Sequence, residues 1–391
     1  MRVELPFAAS ISPHENDRDP DRRLRIGYVS GDLYNHAVAT FIEPILTLHD
    51  SARFEIYCYY NNNIDDSVSQ RLMSLAHHWI PCRNLSDDVL AARIRDDRID
   101  ILIDLSGHTL LNRMPMFARK PAPLQASWIG YPGTTGLKAM DYYIGDQFFL
   151  PSSELAGQFC EQHVRLAAAC TFNPFAGAPD VGELPALRNG AVMFGSFNQP
   201  HKFGRGVISL WSQLLCAVPD ASMLIAGMPS NADTHSITKL FSENGVQPNR
   251  LDFHSRCSLE TYLALHNKVD ICLDTFPYAG GTTTMHAAWM GVPTLTLAGR
   301  TAASRQGCVV ASHLQLNGFI ADSPVDFINK GIQWSRQLPE LAALRSAMRE
   351  RLEQSAIMQP GCVTSSLETA FRSMWRQYCA GLPTKPIEAI D

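Results

Sequence analysis

The chain has 391 residues, a length that suggests two to three domains at roughly 150 residues each. A hydrophobic share of 46% is that of an ordinary packed core and excludes disorder over most of the length. The 33 basic and 38 acidic residues leave a formal charge of −5, which argues against nucleic-acid binding driven by net charge but allows a local phosphate site. No apolar run approaches the roughly 18 residues that span a bilayer. The opening stretch, MRVELPFAASISPHENDRDPDRR, has no apolar core of signal-peptide length, so a cytoplasmic protein without membrane contact is expected. The ten cysteines are scattered and none forms a C-x-x-C pair, so they read as thiols rather than a disulfide framework or a zinc site.

Residues 1–23 are polar, carry Pro6, Pro13 and Pro20, and read as a loose leader. LRIGYVS (24–30) is a short apolar strand ending at Gly31-Asp32, and RFEIYCYY (53–60) is a second strand. DDVLAARIRDD (87–97) has helical spacing, IDILIDLSG (99–107) is a buried strand with a turn, and PLQASWIGYPG (123–133) repeats strand-then-glycine. Such alternation implies parallel β-α-β units, which bind ligands at the carboxyl ends of their strands. Gly31, Gly107 and Gly130 fall there, in a first domain over 24–172.

Residues 173–190, with three prolines and three glycines and no amphipathic period, read as the interdomain linker. The pattern restarts over 191–360, with strands at 192–198, 222–228, 251–255, 269–277 and 293–299. Helices at 207–218, 236–245, 258–267 and 282–291 alternate with them. Two consecutive doubly wound α/β domains follow. A final helix over 361–382 is expected to begin with a capping box, Ser365-x-x-Glu368. It carries Leu367, Phe371, Met374, Trp375 and Tyr378 on one face, and 383–391 are a tail.

The most informative segment is DTFPYAGGTTTMHAAWMGVP (274–293), where a strand ends in Gly280-Gly281 and Thr282, Thr283 and Thr284 open a helix. A helix N-terminus exposes unpaired N–H groups and positive dipole charge, hydroxyls there suit a diphosphate, and glycines let a bulky anion approach. Neither G-x-G-x-x-G nor G-x-x-x-x-G-K-[ST] occurs, so a dinucleotide fingerprint and a P-loop are both unsupported. In GSFNQPHKFGRG (195–206), Gln199, His201, Lys202 and Arg205 share one loop, and Lys202 could neutralise a departing diphosphate. No paired carboxylates accompany it, so no Mg²⁺ cage is indicated. His36 and His108 follow strands, where an imidazole can take a proton from a hydroxyl.

These motifs together resemble the catalytic region of the protein O-glycosyltransferases typified by O-GlcNAc transferase and SPINDLY, glycosyltransferase family 41. The likeness runs over about residues 24–380, through RIGYVSGDLYNHAVATFIEP, DILIDLSGHT, RKPAPLQASWIGYPGTTGL, FGSFNQPHK and DICLDTFPYAGGTTT, among other stretches. It implies a GT-B fold, two Rossmann-like α/β domains facing a cleft, with inverting chemistry and no metal. By position it implies that Lys202 stabilises the leaving diphosphate, that Gln199 contacts the nucleotide, and that Thr282 and Thr283 hold the pyrophosphate. It places His36 near the acceptor, Gly130 and Pro132 beside the sugar, and the base along Arg256 to Tyr262, a stretch that includes Cys257. The ribose position, acidic in the family, is His286 here.

The implied reaction is transfer of GlcNAc from UDP-GlcNAc, or of fucose from GDP-fucose, to Ser or Thr hydroxyls of proteins. The family's usual tetratricopeptide repeats do not precede the match, so acceptor recognition falls to the cleft, an oligomer or a separate adaptor. Two other readings stay open: a small-molecule or glycan acceptor, and a catalytically silent nucleotide-sugar-binding module.

Overall fold

A computed structural model describes residues 11, 13–151, 153–229 and 234–389. The chain divides into two units, Met1–Asn173 with Ala356–Asp391, and Pro174–Ser355. The first contains strands β1 (Leu24–Ser30), β2 (Phe54–Tyr60), β3 (His78–Pro81), β4 (Ile101–Asp104), β5 (Leu124–Ser127), β6 (Tyr142–Asp146) and β7 (Gln162–Leu166). The second contains β8 (Met193–Ser196), β9 (Ser222–Met228), β10 (Leu251–Ser255), β11 (Ile271–Leu273), β12 (Thr294–Leu297) and β13 (Ile320–Ala321). A last strand, β14 (Ile387–Ala389), returns to the first unit.

Every pairing is parallel, in the order β3-β2-β1-β4-β5-β6-β7-β14 in one sheet and β10-β9-β8-β11-β12-β13 in the other. Parallel sheets are covered on both faces, so their strands are apolar without alternation. β4 illustrates this, with Ile101, Leu102 and Ile103 all at 0% exposure. In each sheet the chain starts at a central strand, works outward on one side, then crosses to the other. The crevice at that reversal, between β1 and β4 and between β8 and β11, is where a doubly wound sheet binds its ligand.

Several expectations need correction. The leader is not loose over residues 13–23. Asp100, 0% exposed, cannot be left unpaired in the core. Arg22 binds its carboxylate through both terminal nitrogens at 2.5 and 2.7 Å, and Asn16 Nδ2 donates to it at 2.7 Å. Residues 1–10 and 12 lie outside the described residues.

The two domains are not simply consecutive, because the segment from Ala356 onward belongs to the first unit. The tail at 383–391 supplies β14, which extends that unit's sheet against β7. Part of the linker is also structured. Pro185–Asn189 forms a short helix closed by Gly190 at φ 70°, a left-handed cap that glycine takes without strain.

The final helix runs Pro360–Cys379, so Ser365 lies inside it and caps nothing. Pro360 begins the helix because its missing N–H is one the first turn could not pair. Glu368, 7% exposed, instead accepts hydrogen bonds from the Asp50 N–H and from His49 Nδ1, both at 2.9 Å. His49 Nε2 in turn meets the Tyr28 hydroxyl at 2.8 Å. Glu368→Ala strips the acceptor from the Asp50 amide and from a buried ring. It is expected to lower unfolding free energy by about 1–3 kcal/mol, measured by urea denaturation. An unchanged midpoint would show that this linkage carries no stability.

Candidate active site

At the reversal of the second sheet, β8 ends and Phe197-Asn198-Gln199 leads into a tight turn over Pro200–Lys202. Opposite it, β11 runs into Asp274. Asp274 is 1% exposed and its carboxylate organises the loop that follows. Oδ1 accepts from the backbone N–H groups of Thr275 at 2.8 Å and Gly280 at 2.7 Å, and Oδ2 accepts from Thr296 Oγ1 at 2.8 Å. A Cβ at Gly280 would collide with Thr283 Oγ1, and one at Gly307 with Asp274 Oδ2, so both glycines make room for this arrangement. Burial pushes the Asp274 carboxyl upward, against the hydrogen bonds and the Lys202 charge that favour its ionised form.

The helix Thr282–Trp289 is capped by Gly281, which has no side chain with which to fill the first N–H groups. The three threonines do not act alike. Thr284 turns inward, 5% exposed, and donates to the Gly280 carbonyl at 2.8 Å, closing the first turn. Thr282 and Thr283 stay half-buried and line a cavity. Lys202 Nζ donates to the Ala279 carbonyl at 3.1 Å and lies 4.4 Å from the centre of the Tyr278 ring. Burial draws its ammonium below the ordinary lysine value, while the Asp274 charge acts in the opposite sense.

The cavity is about 350 Å³, near the lower end of small-molecule sites. Gln199, Arg256, Cys257, Tyr262, Thr282, Thr283 and His286 all face it, so seven of the residues singled out in the sequence converge there. Its apolar wall includes Phe197, Leu259 and Tyr262. Tyr262 meets Phe197 edge-on at 5.4 Å and His286 edge-on at 5.5 Å. Behind it His266, 0% exposed, stacks on Phe197 at 3.6 Å. At the mouth, Arg256 Nη2 donates to Gln199 Oε1 at 2.7 Å. Unfilled helix N–H groups, two hydroxyls and a lysine beside an aromatic wall suit an anion joined to a flat ring.

The remaining singled-out residues belong to the first unit. His36 is exposed and caps the helix Ala37–Leu48, its Nδ1 accepting from the Val38 N–H at 3.3 Å. Nearby Asp32 has its carboxyl raised by burial, with His36 pulling the other way. His108, also exposed, follows β4, 3.2 Å from the Thr134 carbonyl and edge-on to Tyr131 at 5.2 Å. Asp104 beneath it is pushed up to about 6 by burial, and holds the N–H groups of Ser106 and Gly107. Gly130 packs so closely on the Leu105 carbonyl that no side chain fits, and Pro132 follows in the same half-buried loop.

Sequence reasoning missed Asn198 and Asp274. Asn198 Nδ2 faces Asp274 Oδ1 at 3.5 Å, while its Oδ1 receives Lys202 Nζ at 3.5 Å and Thr283 Oγ1 at 3.4 Å. The available signal was a polar residue just past each of two adjacent buried strands. Among the described residues no group of three or more His, Cys, Asp and Glu side chains is placed to hold a metal, and no helix is long and apolar enough to cross a membrane.

The family model for glycosyl transferase family 41 matches residues 6–172 and 183–367. The chain belongs to this family. A Petunia hybrida protein named "Probable UDP-N-acetylglucosamine--peptide N-acetylglucosaminyltransferase SPINDLY" is 35% identical over 375 residues, covering 94% of this chain and 40% of its own length. The Arabidopsis thaliana relative of the same enzyme name, SEC, is 29% identical over 95% of this chain and 39% of its own. The chain thus spans about 40% of the length of the curated relatives it matches. A solved structure of a point mutant of Thermobaculum terrenum O-GlcNAc transferase superposes with a TM-score of 0.89 at 36% identity, covering 96% of this chain and 73% of that one. The family 41 chain accordingly has the GT-B type of fold, two parallel α/β sheets of Rossmann order.

Burial lowers His286 from 6.5 to about 4. A depressed histidine favours the folded state fully above its unfolded value, and that contribution is lost as pH falls from about 6.5 towards 4. Relative to wild type, His286→Gln is expected to lose less stability over that interval, read from melting temperatures at matched pH. Parallel profiles would contradict this assignment.

Proposed function

We propose that this family 41 chain transfers a sugar from a nucleotide-sugar donor to Ser or Thr hydroxyls of proteins. UDP-GlcNAc is the first donor and GDP-fucose the second. The observation that carries the reading is the meeting, within one unit, of Lys202, Thr283 and the open N-terminus of the helix Thr282–Trp289 beside an aromatic-walled cavity. The enzyme names of the relatives support the protein acceptor and a UDP-linked GlcNAc.

In this reading the base stacks or packs along Phe197, Tyr262 and Leu259, and His286 hydrogen-bonds a ribose hydroxyl as a neutral ring. The pyrophosphate lies on the helix N-terminus between Thr282 and Thr283. A base removes the proton of the acceptor hydroxyl, and the oxygen attacks the anomeric carbon from the side opposite the diphosphate. The new C–O bond forms as the bond to the diphosphate breaks, with inversion at that carbon. Negative charge grows on the departing diphosphate, where Lys202 and the helix N-terminus stabilise it without a metal ion. His36 and His108, at strand ends of the first unit, are assigned to the acceptor side, for positioning or proton transfer.

Lys202→Ala is expected to lower transfer by roughly 10²- to 10³-fold with the fold intact, the scale for removing one preorganised charge-stabilising group. Product mass spectrometry on a protein substrate checks it, and full activity in the variant would reject the mechanism. UDP, UDP-GlcNAc, GDP and GDP-fucose should separate in a thermal-shift series. A ligand at about 100 times its Kd adds roughly 2.7 kcal/mol to stability. Stabilisation by one nucleotide class identifies the donor, and stabilisation by none would reject the donor site.

A further inference from the structure

We propose that Asn198, held in place by Asp274, is the positioning residue that sets Lys202 and Thr283 as a pair before a diphosphate arrives. The inference rests on the donor-site reading above and concerns how that site is preorganised.

A carboxamide has a donor end and an acceptor end, and the surroundings decide which points where. Asp274 Oδ1 already accepts from two backbone N–H groups, so it is an acceptor and the Asn198 Nδ2 faces it at 3.5 Å. The Asn198 oxygen then necessarily faces the other way. It meets two donors, Lys202 Nζ at 3.5 Å and Thr283 Oγ1 at 3.4 Å. Asp274 itself cannot drift, because Thr275, Gly280 and Thr296 hold both its oxygens and Gly280 and Gly307 leave no slack around it.

The orientation therefore passes from a saturated buried carboxylate, through one amide, to the two side chains expected to meet an anion. All three contacts of the amide are long, 3.4 to 3.5 Å. They fix direction without saturating the lysine or the hydroxyl, so both stay able to turn their hydrogens to a ligand and to tighten on it. Neither an aspartate nor an apolar residue does this. An aspartate at 198 would repel Asp274 and hold Lys202 in an ion pair, and an apolar residue would leave the ammonium with only the Ala279 carbonyl among these partners.

A double-mutant cycle separates positioning from ordinary structural support. UDP and GDP are titrated calorimetrically into wild type, Asn198→Ala, Lys202→Ala and the double variant, with melting curves to establish folding. Lys202→Ala is expected to weaken the binding nucleotide about 10- to 100-fold, the range for losing a charged hydrogen bond. If Asn198 acts through Lys202, Asn198→Ala alone weakens it appreciably, and the double variant stays within about threefold of Lys202→Ala. If the two losses multiply, or if Asn198→Ala binds like wild type, positioning is overturned while the donor site stands. If Lys202→Ala binds like wild type, or neither nucleotide binds wild type, the donor-site reading falls and the positioning falls with it. Asp274→Asn should weaken binding in the same direction as Asn198→Ala. Should that variant fail to fold, the Asn198 cycle decides alone.

Discussion

A parallel sheet cannot turn back on itself without a crossover, and each crossover leaves strand ends whose backbone groups point into open space. In both units the chain begins at a central strand and builds in opposite directions from it. The loops after β8 and β11 must therefore part, and the gap between them lets polar backbone reach a ligand without breaking the core. What fills the edges of that gap is set by a burial problem. Asp274 sits at the end of β11 with almost no water, so the loop that follows must fold back and offer it N–H groups. Satisfying that carboxylate places Gly280 and Gly281 where a helix can start with its first N–H groups uncapped.

The first unit repeats the device with different outputs. Asp104 ends β4 as Asp274 follows β11, and each reaches across to a hydroxyl on the next strand, Ser127 or Thr296. Beyond Asp104 the loop after β4 presents His108, edge-on to Tyr131 of the loop after β5, rather than threonines and a lysine. One sheet thus displays groups suited to hydroxyl and proton chemistry, the other groups suited to anions. Both loops rest on a buried acid in the same register.

Much of the fold was legible because buried parallel strands are continuous apolar runs. LRIGYVS and SMLIAGM were bounded to the residue. Short strands such as β13, two residues long, and β14, three, carry no such signal and exist only because a neighbouring edge accepts them. The capping-box match at Ser365 misled because local spacing cannot reveal that the helix had already begun at Pro360, or that Glu368 is committed to His49 more than 300 residues away. The cavity-lining residues were legible where they cluster in sequence, as with Thr282 and Thr283. Asn198 and Asp274 were not, since one is an ordinary loop asparagine and the other a strand-end acid until the β8–β11 pairing brings them together. Thr284 shows a different limit: adjacency to two cavity-lining threonines says nothing about which way a helix turns the third.

The return of the chain to its first unit has a consequence for synthesis. Multidomain chains ordinarily fold from the N-terminus as they emerge. Here the second unit is an insertion, complete by Ser355, whereas the first still lacks Phe371 and Trp375 from its core and β14 from its sheet. The unit that begins earlier must be finished later. Until Ile387–Ala389 has been made, β7 is an unprotected edge. During translation the first unit stays incomplete while the second is made, and its protection waits for the segment that follows Ser355.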